Sequence, residues 1–169
     1  VDVPQGDMQV DATAQRVGRF IRQDPLSAER DEPVDLVTIA SEVIAMTRPL
    51  WAERAQGGVI QLYRADDNGA LARGIAGEVR EAMLNLIQNA LDAMPNGGEL
   101  KVIGLIERPD HKRSDFLGIR VSDTGVGIKK ENLSCIFDRY YTTKETGTGL
   151  GLSVVDRIIT AHGGTLGVE

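Results

Sequence analysis

The chain has 169 residues, the size of one ordinary domain. Its formal charge of −6, from 25 acidic and 19 basic side chains, argues against a surface for the phosphate backbone of nucleic acid. Hydrophobic residues at 41% and charged residues at 26% fit a soluble globular domain, and aromatics at 4% leave the core to Leu, Ile, Val, Ala and Met.

A single cysteine, Cys135, excludes an intrachain disulfide and fits a reducing, cytoplasmic setting. No apolar run approaches the roughly 20 residues of a membrane span, and no basic start with an apolar run marks a secretory signal. The chain starts without Met and stops at Gly167-Val168-Glu169, where a strand is under way. It reads as a piece of a longer protein with its last strand cut off.

Residues 1–7 read as a loose end. From Met8 to Gln23, Met8, Val10, Ala14, Val17 and Ile21 recur at helical steps with arginines between them, which predicts an amphipathic helix ended by Asp24-Pro25. The charged stretch with Pro25 and Pro33 reads as a linker, and the domain proper is expected over residues 35–169. Asp35 is placed to cap a helix from Leu36 to about Arg54, with Pro49 as a candidate kink and Trp51 as a core anchor. Gly57-Gly58 breaks the pattern, Val59–Tyr63 reads as a strand and Asp66–Gly69 as a turn.

Gly77 to Met94 carries the clearest helical pattern. Val79, Met83, Leu86, Ala90 and Met94 line one side, and Glu81, Asn85, Asn89 and Asp92 the other. Pro95–Gly98 ends it. An antiparallel strand pair is expected next, Glu99–Ile106 and Phe116–Val121, joined by a polar loop holding a solvated His111. A short helix over 129–135 is expected, then a helix from the Gly147–Leu152 stretch to about His162 with Val154, Val155, Ile158 and Ile159 inward, and a final strand from Thr165.

Three segments suggest chemistry. Asp123-Thr124-Gly125-Val126-Gly127-Ile128 follows a strand directly and puts one carboxylate at the mouth of a glycine turn, where a flat ligand can approach the main chain. Alone, it reads equally as an ordinary turn. Gly147, Gly149 and Gly151 precede a helix whose bared N–H groups and dipole favour an anion. Their spacing is neither a dinucleotide fingerprint nor a P-loop. Lys144 lies within reach of the same anion. Asn85 and Asn89, one turn apart, form either a solvated polar face or an amide face for a hydrated Mg2+ carrying phosphates.

Taken in order, Asn-Leu-Ile-x-Asn-Ala at 85–90, Asp-Thr-Gly-Val-Gly-Ile at 123–128, Phe137 with Thr142-Thr143-Lys144, Gly-Thr-Gly-Leu-Gly-Leu at 147–152 and His-Gly-Gly at 162–164 resemble the N, G1, F and G2 boxes of bacterial sensor histidine kinases. The resemblance covers about residues 34–169 and is nearest to the nitrogen-regulation branch. It implies the catalytic, ATP-binding domain: a Bergerat α+β two-layer sandwich with a mixed, mostly antiparallel sheet, helices on one face and a mobile lid.

By position it implies that Asp123 accepts the adenine amino group, that Gly125 and Gly127 shape the adenine floor, and that Ile128 and Leu152 pack nearby. Asn89 would ligate Mg2+, with Asn85 beside the metal and phosphates and Asp92 near the nucleotide. Thr142, Thr143 and Lys144 would belong to the lid, with Lys144 on the terminal phosphate. Gly147, Thr148, Gly149, Leu150 and Gly151 would cradle phosphate.

The resemblance further implies an ATP-dependent protein-histidine kinase within a homodimeric parent. The parent would phosphorylate its own dimerisation-helix histidine and pass the group to a response regulator. Neither histidine here, His111 or His162, matches that acceptor, so the chain alone is expected not to autophosphorylate. Residues 8–23 resemble the tail of the second dimerisation helix, giving expected segments of 1–24, a linker at 25–34, and the ATP-binding domain. Alternatives are an ATPase clamp of the gyrase, mismatch-repair or heat-shock chaperone type, an anti-sigma-factor serine kinase, and a non-catalytic nucleotide-binding module. The clamps need a glutamate four residues before the metal asparagine, where this chain has Asn85; Glu81 is a turn further back.

Overall fold

A computed structural model describes residues 15–17, 21–22, 32–52, 59–64, 71–107, 116–144 and 147–168. The strands are β1 (Gln15–Val17), β2 (Ile21–Arg22), β3 (Glu32–Asp35), β4 (Val59–Arg64), β5 (Leu71–Gly74), β6 (Glu99–Glu107) and β7 (Phe116–Asp123). The helices are α1 (Leu36–Ala52), α2 (Ala76–Ala93) and α3 (Gly151–Ala161), with a 3-10 turn at Lys130–Asn132.

One sheet runs β1-β7-β6-β4, with β2 also on β7. β6 and β7 are antiparallel, with Leu100 opposite Asp123 and Val102 opposite Val121. β4 lies parallel to β6, Leu62 opposite Val102, as a crossover through α2 permits. A second, two-stranded sheet pairs β3 with β5, Val34 opposite Ala72. Helices α1 and α2 pack on the large sheet and α3 packs along α2, which is the expected two-layer sandwich.

The core follows from period. On β7, Leu117, Ile119 and Val121 alternate inward, and on β6 Leu100 and Val102 do the same. They meet Val79, Ala82, Met83, Leu86, Ile87 and Ala90 of α2, and the same cluster takes in Ile39, Ala40 and Val43 of α1 and Val155 and Ile158 of α3. Asp35 caps α1 as expected: its Oδ1 accepts from the amides of Val37 at 3.0 Å and Thr38 at 3.2 Å. Pro49 lies within α1 without ending it.

Several expectations are corrected. The helix anticipated over 8–23 is absent at its described residues, where Gln15–Val17 and Ile21–Arg22 pair antiparallel with β7. An arginine-studded apolar repeat satisfies its backbone equally well on an open strand edge, and propensity yields to that pairing. The anticipated linker over 25–34 ends in β3, whose partner β5 was not anticipated. Between Lys129 and Cys135 there is one 3-10 turn rather than a helix. Of the final strand, the described residues retain a single bridge at Val168. The expectations for residues 1–7, Asp24-Pro25, the Trp51 side chain, Gly57-Gly58, Asp66–Gly69 and His111 lie outside the described residues.

Candidate functional site

Asp123 is the last position of the inward alternation on β7, so its carboxylate is delivered to the helix side of the sheet. It is 6% exposed. Burial pushes its carboxyl above the ordinary aspartate range, opposed by the Gly125 N–H, which donates to Oδ1 at 2.9 Å. No other donor reaches that carboxylate among the described residues, which leaves Oδ2 a buried acceptor.

The turn after Asp123 is fastened to the C-terminal end of α2. The Val126 amide donates to the Ala93 carbonyl at 3.0 Å, and a side chain on Gly125 would stand 2.6 Å from that same oxygen. Gly127 holds φ +82°, the left-handed region that favours glycine.

One helix face above, Asn85 and Asn89 are half-buried. The Asn85 amide nitrogen donates to the Glu81 carbonyl at 2.9 Å. A methyl built on Gly151 would stand 3.1 Å from Asn85 Oδ1 and 3.5 Å from Asn89 Nδ2, so the start of α3 lies directly against both amides. Lys144 Nζ donates to Asn89 Oδ1 at 3.0 Å and to Asp92 Oδ2 at 2.9 Å. Thus α2 is the common wall: the carboxylate turn sits at its end, the glycine loop along its middle, and Lys144 between them.

The segment from Tyr140 to Gly149 is tied to itself. The Tyr140 amide donates to the Gly149 carbonyl at 2.8 Å, and Thr142 Oγ1 accepts from the Lys144 amide at 3.1 Å. Tyr140 has φ +68° and Gly149 φ +69°. A side chain on Gly149 would run into the Tyr140 backbone, and one on Gly147 into Thr142. Thr143 and Thr148 are exposed, Leu150 is partly exposed, and Ile128 and Leu152 are half-buried, with Leu152 packed on the core. The close backbone pairing of Tyr140 with Gly149 had no signal in the sequence, since tyrosine seldom takes positive φ.

The profile of the histidine kinase-, DNA gyrase B- and HSP90-like ATPase family matches residues 74–169, which hold every one of these groups. The chain belongs to that family. Within it, the relatives are sensor kinases. The chain is 32% identical to the sensor protein FixL of Bradyrhizobium diazoefficiens over 157 residues, covering 92% of this chain and 30% of FixL. It is 34% identical over 130 residues to the sensor histidine kinase ZraS of Salmonella typhimurium, covering 76% of this chain and 27% of ZraS.

The chain therefore spans less than a third of the length of these relatives. The catalytic domain of histidine kinase ThkA shares the fold with TM-score 0.65 at 22% identity, over 79% of this chain and 82% of that one. Full-length ShkA in complex with AMPPNP aligns with TM-score 0.62 at 27% identity, over 83% of this chain and 27% of ShkA. This is a histidine kinase ATP-binding catalytic domain of the sensor-kinase kind, and its architecture is the Bergerat sandwich.

Proposed function

We propose that the domain binds Mg2+–ATP along α2 and donates the γ-phosphoryl group to a histidine on a dimerisation helix outside this chain. A response-regulator receiver domain would then take the group from that histidine. The observation that carries the reading is the buried Asp123 carboxylate at one end of α2, with the Lys144–Asn89–Asp92 cluster and the glycine loop further along it.

Asp123 accepts the adenine amino group on the oxygen that Gly125 leaves free, and Gly125 and Gly127 keep the floor open to a flat ring. The amides of Gly149, Leu150 and Gly151 bind phosphate oxygens, helped by the α3 dipole. Thr142 and Thr143 carry the lid, and Lys144 compensates charge on the terminal phosphate.

Among the described residues no group of three His, Cys, Asp or Glu forms a metal centre. Asn89 Oδ1 nevertheless already accepts a cation, the Lys144 ammonium, and a hard oxygen of this kind suits Mg2+, which needs few protein ligands. Asn89 would hold the metal, with Asn85 beside it. When bound, Mg2+ neutralises developing charge on the phosphates. The protein's own work is positioning and electrostatic compensation, which is most of what phosphoryl transfer requires.

The reading includes a homodimeric parent, a cytoplasmic location for this domain, and no autophosphorylation by this chain alone, since neither His111 nor His162 stands as the acceptor. No described helix is long and apolar enough to cross a membrane. Calorimetric titration of ATP, with and without Mg2+, tests the site. Asp123→Ala and Asn89→Ala are each expected to weaken binding at least about tenfold, the loss of one buried or charge-assisted contact. Unchanged affinity in both sinks the assignment. Steady ATP turnover abolished by Glu81→Ala would instead favour an ATPase clamp.

A further inference from the structure

His162 serves no step above, yet its side chain is only 5% exposed and both ring nitrogens are engaged. Nε2 accepts from the Ile75 amide at 3.0 Å, and Nδ1 lies 2.8 Å from the Ile158 carbonyl. A carbonyl can only accept and an amide N–H can only donate, so both bonds exist together in one form alone: the neutral ring with its proton on Nδ1. Glu78 Oε2 is further from Nδ1, at 3.8 Å.

Ile75 is the first residue of the α2 cap and has no side-chain cap of its own. The imidazole therefore supplies from α3 a partner that α2 lacks locally. Gly74 leaves room for this: a methyl there would meet ring Cδ2 at 2.7 Å and Nε2 at 2.9 Å.

Besides the apolar packing of Val155 and Ile158, polar groups join α2 and α3 at two places. At one end Gly151 lies against Asn85 and Asn89; at the other His162 holds Ile75. The two ties are separated by ten residues on α2 and eleven on α3, roughly 15 Å of helix. Two ties this far apart set both the axial register and the rotation of one helix on the other.

We infer that His162 is a positioning residue which sets the register of α3 against α2, and so the spacing between the phosphate loop and the two asparagines. This rests on the nucleotide reading of the site for its effect on ATP, but not for the tautomer or the helix tie. Removing the tie at the His162 end lets α3 slide and turn on α2 as a body, and its other end carries the phosphate loop with it. The adenine end is untouched, because Asp123 is held by β7 and Gly125.

The test compares ligands on the 169-residue chain. His162→Ala is expected to weaken ATP about tenfold while adenosine, titrated by NMR, binds as in the parent. His162→Gln keeps an acceptor for the Ile75 amide and should recover ATP affinity to within about threefold. Gly74→Ala pushes the ring without deleting a hydrogen-bonding group and should reproduce the His162→Ala pattern. It carries the comparison if His162→Ala does not fold.

ATP affinity unchanged in a folded His162→Ala chain, or ATP and adenosine lost equally, overturns the inference. A readout without nucleotide separates it from the reading of the site. The 15N signal of His162, assigned by its loss in His162→Gln, should show the Nδ1–H tautomer, with Ile75 amide protection lost in His162→Ala. An Nε2–H tautomer overturns the inference whether or not ATP binds, whereas failure of the parent chain to bind ATP counts against the site alone.

Discussion

Lys144 Nζ stands 3.0 Å from Asn89 Oδ1, on the oxygen that the proposed site assigns to the metal. One cation thus occupies the place of another, and the same ammonium pairs with Asp92 at 2.9 Å. In the proposed site Lys144 would leave Asn89 when metal and phosphates arrive, and the terminal phosphate would be the anion it then meets.

Lys144→Ala should therefore separate nucleotides. ATP is expected to bind about tenfold more weakly and ADP to change less than threefold, since one charge-assisted contact to the last phosphate is lost. The Lys144–Asp92 pair is exposed on both sides, at 41% and 47%, so it contributes little in water. Thermal unfolding of the nucleotide-free variant should match the parent to within about 0.5 kcal/mol. An equal loss of ATP and ADP would remove Lys144 from the terminal phosphate.

Asp123 is costly to the empty domain. Its folded carboxyl titrates above the ordinary aspartate value because burial disfavours the charge. The sign is set by proton binding: the folded state holds this proton more tightly than the unfolded chain. The ionisation cost is therefore fully present above the raised value and fades as pH falls through it toward the ordinary range. Asp123→Asn keeps an acceptor for the Gly125 amide and removes the charge. It should raise the melting temperature at neutral pH, with the gain shrinking under acid, while ATP affinity falls. Melting curves from pH 7 to pH 4 check this, and a gain that grows under acid would contradict it.

Gly149 has no room for a side chain. Its φ of +69° and the Tyr140 backbone beside it both exclude one. Gly149→Ala should cost about 1–3 kcal/mol of stability, read by denaturant unfolding, and should lower ATP affinity by opening the lid's base. A variant as stable as the parent would show that the Tyr140–Gly149 pairing is dispensable.

Asp35 tests the start of the domain. Its Oδ1 accepts from two helix amides, at 3.0 and 3.2 Å. Asp35→Ala should destabilise by about 1 kcal/mol with no change in ATP affinity, because α1 holds none of the proposed ligand contacts.

Much of this protein could be read from local pattern. The α2 periodicity, the Asp35 cap, the β6–β7 pair and the glycine-rich entry to α3 each depend on residues a few positions apart, where backbone sterics and side-chain alternation act directly. For the same reason the segments around Asn85, Asp123, Lys144 and Gly151 could be singled out as candidates, and the fold brings them together along α2. Pairing between distant segments was another matter. Gln15–Val17 and Ile21–Arg22 carry a helical repeat yet join β7, and Leu71–Gly74 is too short and too mixed to announce itself before Glu32–Asp35 lies beside it. Lys144 on Asn89 and His162 on Ile75 join positions 55 and 87 residues apart. Contacts like these exist only after chain closure has been offset by burial elsewhere, so no local run of residues encodes them.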